Sequence, residues 1–122
     1  MEQQALMSPA SISWREVWPG VMTSVIAGCP EDEDSPFVVL YRTSVPLEMG
    51  THSHPREERL TVLDGSLELG FGESSADSEM QSLGPGSYAV IPGGVPHRLR
   101  YAAGSLVQIH GRGRFETRRL QR

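Results

Sequence analysis

Lysine and asparagine are missing altogether from this chain of 122 residues, and cysteine occurs once. Without lysine there is no side-chain amine for Schiff-base chemistry, and all 11 basic residues are arginine. Cys29 has no partner for an internal disulfide. The acidic run Glu31-Asp32-Glu33-Asp34 beside it disfavours a thiolate, so it reads as a small half-buried residue at a strand end, not a nucleophile. No stretch approaches the roughly 20 apolar residues of a membrane-spanning helix. A Gly-X-Ser-X-Gly elbow, a phosphate-binding loop and a three-glycine dinucleotide fingerprint are all absent. A basic excess is absent too: the formal net charge is -4, which argues against a nucleic-acid or anionic-membrane binder. Met1-Glu2-Gln3-Gln4 is acidic and polar where a secretory signal is basic and then apolar, so the expectation is a soluble cytoplasmic protein.

What is present is β-forming. The length suits one domain, expected as a flexible N-terminal arm over residues 1–12 and a single β-domain over 13–122. Residues 13–26 are β-favouring pieces broken by Pro19-Gly20, a bent pair of strands. Residues 30–36 form a polar acidic loop whose spacing does not suit calcium. Further strands are expected over 37–45, 58–63, 66–71, 86–91, 97–101 and 105–110. The Asp64-Gly65 turn signal joins the second and third of these as a hairpin. Only the end of the chain, 115–122, leaves room for a helical turn. Its arginines, Arg112, Arg114, Arg118, Arg119 and Arg122, read as a solvated basic tail. Many short strands with Gly and Pro turns imply a sandwich or barrel.

Three of the four histidines fall in two blocks framed by turn residues. In a strand, residues two or four apart share a face, and His52, His54 and Glu58 have that spacing. Glu57 competes with Glu58. Parity with His54 selects Glu58 and leaves Glu57 and Arg59 outward as a surface pair. With His97 the set is three imidazoles and one carboxylate. Such a set suits one divalent transition ion, iron, manganese, nickel, copper or zinc, better than calcium or magnesium. Four protein ligands leave two octahedral positions open for substrate, water or dioxygen.

These blocks resemble the two motifs of the cupin superfamily, in its small single-domain, RmlC-like form. The first runs His52-Ser53-His54, three residues, Glu58, six residues, Gly65. The second runs Gly86, Pro92-Gly93-Gly94, His97, Tyr101. Pro46 replaces the family's opening glycine and Tyr101 its closing asparagine, and neither touches a ligand position. The resemblance covers about half the chain. It implies an all-β fold, a single double-stranded β-helix or jelly-roll barrel, with His52, His54, Glu58 and His97 holding the metal.

Other positions carry less definite chemistry. Gln108 and His110 share one face of their strand, and Val107 and Ile109 the other. The first pair contacts substrate if that face lines the cavity and is surface if it does not. The resemblance tilts this toward the cavity, because small cupins with a similar Gln-X-His-Gly ending exist. Tyr101, four residues past His97, lies on its face as a proton donor or as a core tyrosine. Tyr41 and Tyr88 share the ambiguity and take no role. Trp14, Trp18, Val21 and Met22 suggest an apolar surface and hence a homodimer. The functional expectation is a metal-dependent cupin acting on a small organic molecule. The reaction classes are dioxygenase-type oxidation first, then isomerisation or lysis. The alternative is a non-catalytic metal or metabolite sensor.

Overall fold

Alternation of apolar and polar side chains with period two decides most of the elements. The computed structural model describes residues 6, 8–73, 76 and 79–119. They form one 3-10 turn (Pro9–Ser11) and the strands β1 (Arg15–Trp18), β2 (Val21–Gly28), β3 (Pro36–Thr43), β4 (Leu47–Ser53), β5 (Glu58–Asp64), β6 (Leu67–Phe71), β7 (Gln81–Leu83), β8 (Tyr88–Ile91), β9 (His97–Tyr101), β10 (Ser105–Arg112) and β11 (Arg118–Arg119). Two antiparallel sheets result, ordered β1-β2-β3-β10-β5-β8 and β11-β4-β9-β6-β7. The chain changes sheet repeatedly, which is the wrapping of a jelly-roll barrel. Among the described residues no helix is long and apolar enough to cross a membrane.

The inward faces meet in one core. Leu60 and Val62 of β5 and Val107 and Ile109 of β10 pack with Leu67, Leu69, Leu99 and Tyr101 of the other sheet. Burying each leucine contributes about 2 kcal/mol. This core also sets the site, because Glu58 shares its face of β5 with Leu60 and Val62 and is drawn inside with them.

Several sequence expectations need correction. Strands β5 and β6 are not a hairpin: β5 pairs with β10 and β8, while β6 pairs with β7 and β9. The Asp64-Gly65 turn carries the chain from one sheet to the other. Gly65 holds φ at 74° there, and a Cβ on it would lie 2.6 Å from the Ser105 Cα. The short strand β7 was not expected at all. Residues 74, 75, 77 and 78 of the intervening loop, and 1–5 and 7 of the N-terminal arm, lie outside the described residues. Of residues 115–122, 118–119 form strand β11 instead of a helical turn, and 120–122, Arg122 among them, lie outside the described residues. The four residues expected to form an apolar surface do not share one, since Val21 is 1% exposed and Trp14 lies beneath the Arg42 guanidinium at 4.2 Å.

Candidate metal centre and its cavity

His52 lies near the end of β4 and His54 just past it, Glu58 opens β5 and His97 opens β9. Strand spacing is therefore not what unites them: the chain leaves β4 after Ser53 and re-enters a different sheet at Glu58. Parity picks the carboxylate that turns inward because Glu58 keeps step with Leu60 and Val62, not because it keeps step with His54. Between Met49 and His52 strand β4 bulges against β9, since two pairs, Met49↔Leu99 and His52↔His97, enclose unequal lengths of chain. The turn at residues 92–94 docks on the loop at 54–57. The Gly94 amide donates to the His54 carbonyl at 2.7 Å, and Gly93 sits so close that a Cβ would meet the Pro55 carbonyl oxygen at 2.5 Å. That contact brings the second block onto the first.

All four side chains are buried, His97 completely. Each imidazole faces a backbone carbonyl with Nδ1: His52 that of Gly50 at 2.7 Å, His54 that of Glu116 at 2.7 Å, and His97 that of Val95 at 3.0 Å. A carbonyl oxygen only accepts, so each Nδ1 carries the proton and donates, and each Nε2 is left with a lone pair. The three histidines place ligand atoms within 4.8 Å of one another. Glu58 Oε1 lies 3.3 Å from His54 Nε2 and 3.6 Å from His97 Nε2. Glu58 Oε1 and His97 Nε2 are buried without a hydrogen-bond partner. Four acceptors thus converge with no donor among them, an arrangement that a cation satisfies. Burial pushes His52 and His54 below the ordinary histidine value, which favours the neutral, ligating form.

Above these groups lies a cavity of ≈ 90 Å³, walled by Tyr41, Leu47, Met49, Leu99, Tyr101 and Phe115 among others. It opens beside Trp18, Thr117 and His52 into an outer groove of ≈ 580 Å³ that also reaches Arg119. Burial raises the Tyr101 and Tyr41 hydroxyls above the usual phenol range, so both stay protonated.

The segment leading to β11 closes one side of this cavity. Gly113 and Phe115 amides donate to the Ser35 and Pro30 carbonyls, each at 2.8 Å, which ties the segment to the acidic loop. The Phe115 ring stacks on His54 at 4.4 Å and 23°. Sequence reasoning assigned this region to a solvated tail and so missed Phe115, Thr117 and the Glu116 carbonyl. The available signal was an aromatic residue standing alone among polar and basic ones.

Of the remaining sequence candidates, Tyr101 lies on the His97 face and lines the cavity. Gln108 and His110 do not reach it. Val107 and Ile109 take the inner face of β10 at 0% and 3% exposure, so alternation turns Gln108 and His110 to the outer face, where His110 nears Tyr88. Hydrophobic burial decides the orientation of that strand. Glu57 and Arg59 point outward and pair at 2.6 Å across exposed side chains.

Comparison with known proteins agrees with this fold. A family model described as the cupin domain matches residues 44–107. No curated protein matches the chain. Among solved structures, KdgF from a Halomonas species superposes with a TM-score of 0.74 at 20% identity, over 93% of this chain and 97% of that one. An RmlC-like cupin from Shewanella frigidimarina gives 0.72 at 13% identity over 90% and 91%. The polyketide cyclase RemF from Streptomyces resistomycificus gives 0.76 at 18% over 98% and 87%. At these identities the likeness is one of fold, and the neighbours differ in chemistry. With the matched span enclosing both histidine blocks, and the double-sheet barrel formed around them, this chain belongs to the cupin family.

Proposed function

We propose that this cupin holds one divalent transition-metal ion on His52, His54, Glu58 and His97 and is an enzyme for a small organic molecule bound in the cavity above them. The observation that carries the reading is the convergence of three Nε2 lone pairs and the Glu58 carboxylate with no donor among them. Imidazole-rich sets of this kind select iron, manganese, nickel, copper or zinc over the hard alkaline-earth ions. Bound there, the ion supplies Lewis acidity or a position for dioxygen. The chain supplies the surroundings. Apolar walls exclude water, and the neutral phenol of Tyr101 can donate to an oxygen that gains charge. Oxygen-dependent oxidation of an enol-like or hydroxylated compound is the first reaction class to assay, and isomerisation or lysis of a carbonyl compound the second.

Elemental analysis of protein purified without added metal tests the centre. About one equivalent per chain is expected, and His97→Ala should lose most of it. A His97→Ala protein that keeps a full equivalent while remaining folded rejects the site.

A further inference from the structure

Away from the three histidines and Glu58 the cavity surface is mostly apolar, so a charged group at its mouth has weight in choosing what enters. Arg119 is that group. In the short pairing of β11 with β4, Arg119 stands directly opposite His52, and Arg118 opposite Ser53. Cross-strand partners point to the same face of a sheet, so Arg119 shares the inner face with His52 while Arg118 turns outward. Both Arg119 and His52 line the outer groove. Glu48 also lines this groove, and its carboxylate is paired at 3.8 Å and 4.0 Å with Arg98 and Arg100. No ion pair engages Arg119 among the described residues.

We infer that Arg119 selects the substrate class: a small monoanion, carboxylate-bearing, whose acidic group meets Arg119 at the mouth while its other end faces the three histidines and its body lies against Leu47, Met49 and Trp18. The inference rests on the metal reading above. Charge supports it, since a divalent ion with one carboxylate ligand leaves the centre net positive, and Arg119 adds a second positive charge on the same side of the groove. A guanidinium also presents two parallel donors that match a carboxylate. Leu47, Met49 and Trp18 line the same groove and offer apolar surface to the body of the molecule.

The test uses cobalt(II)-loaded protein and two probes that bind metal through the same ring nitrogen. These are 4-methylimidazole, which is neutral, and imidazole-4-acetate, which carries an anionic arm. Each is titrated by the change in the cobalt visible spectrum. The wild-type chain should prefer the anionic probe. Arg119→Gln should weaken imidazole-4-acetate roughly five- to tenfold, the scale of a half-exposed charge-assisted pair, and leave 4-methylimidazole within about twofold. Arg119→Lys should recover part of the loss, because the charge returns without the fork. Equal weakening of both probes, or no weakening of either, overturns the role of Arg119 while the metal centre stands. Failure of the protein to take up cobalt removes the centre itself and this inference with it.

Discussion

His54 is gripped from two sides by a part of the chain 62 residues away: the Glu116 carbonyl accepts its Nδ1–H and the Phe115 ring stacks on its face. Phe115 in turn packs against Phe37 at 5.2 Å, so the imidazole is held in register with the core. Phe115→Leu keeps an apolar filler but removes the flat surface against His54. The variant should stay folded, and its zinc affinity by calorimetric titration should fall roughly threefold to tenfold, less than the roughly 10- to 100-fold typical when an orienting hydrogen-bond partner is lost. Phe115→Tyr should restore it. An affinity unchanged in Phe115→Leu would show that the carbonyl alone positions His54. This layer was closed to sequence reading for a simple reason. The proposed ligands His52, His54, Glu58 and His97 announce themselves by side-chain type and interval, but the partners that orient the three imidazoles are the carbonyls of Gly50, Glu116 and Val95. A carbonyl carries no residue identity.

At the scale of elements, the site depends on how the turn at residues 92–94 lies on the loop at 54–57. Gly93 and Gly94 separate two effects there. A Cβ on Gly93 meets the Pro55 carbonyl oxygen at 2.5 Å and the Arg56 Cα at 3.1 Å, both backbone atoms that cannot turn aside. Gly94 instead holds φ at 77°, with open space where its Cβ would be. Both Gly93→Ala and Gly94→Ala should lower thermal stability, Gly94→Ala by about 1–2 kcal/mol of backbone strain. Only Gly93→Ala should also displace the loop carrying His54 and Glu58 and weaken metal binding. Paired melting curves and metal titrations check this, and equal metal affinity in the two variants would contradict the docking argument. The Pro-Gly-Gly turn was legible in the sequence, but its contact was not. Local pattern also misled at Asp64-Gly65, where turn chemistry was right and pairing wrong, because a turn that joins two strands does not say whether they stay in one sheet. The face of β10 was misjudged in the same way: alternation was plain, yet only the packing of Val107 and Ile109 against the opposite sheet fixes which side is inside.

Across the whole molecule, the barrel buries two histidines whose charged forms it cannot solvate, and this ties its stability to pH. Burial holds His52 and His54 below the ordinary value of 6.5 in the folded chain. The unfolded chain therefore binds more protons than the folded one wherever the pH lies between those depressed values and 6.5. By linkage, stability rises with pH across that window. It is complete above the ordinary histidine value and is lost as pH falls through the folded values. The ordinary carboxylate value is lower, near ~4, so a decline that begins just below the ordinary histidine value belongs to the imidazoles. Metal-free protein should show a melting temperature that is level from neutral pH upward and declines as acid is added below that window's upper edge. Metal-loaded protein should melt higher at neutral pH and decline more steeply, because protons then compete with the ion for the same Nε2 lone pairs. Replacing both residues, His52→Gln with His54→Gln, should flatten the metal-free decline. A melting temperature that stays level for the metal-free wild-type chain from neutral pH down to about pH 5 would mean that the imidazoles take up protons in the folded barrel as readily as in the open chain.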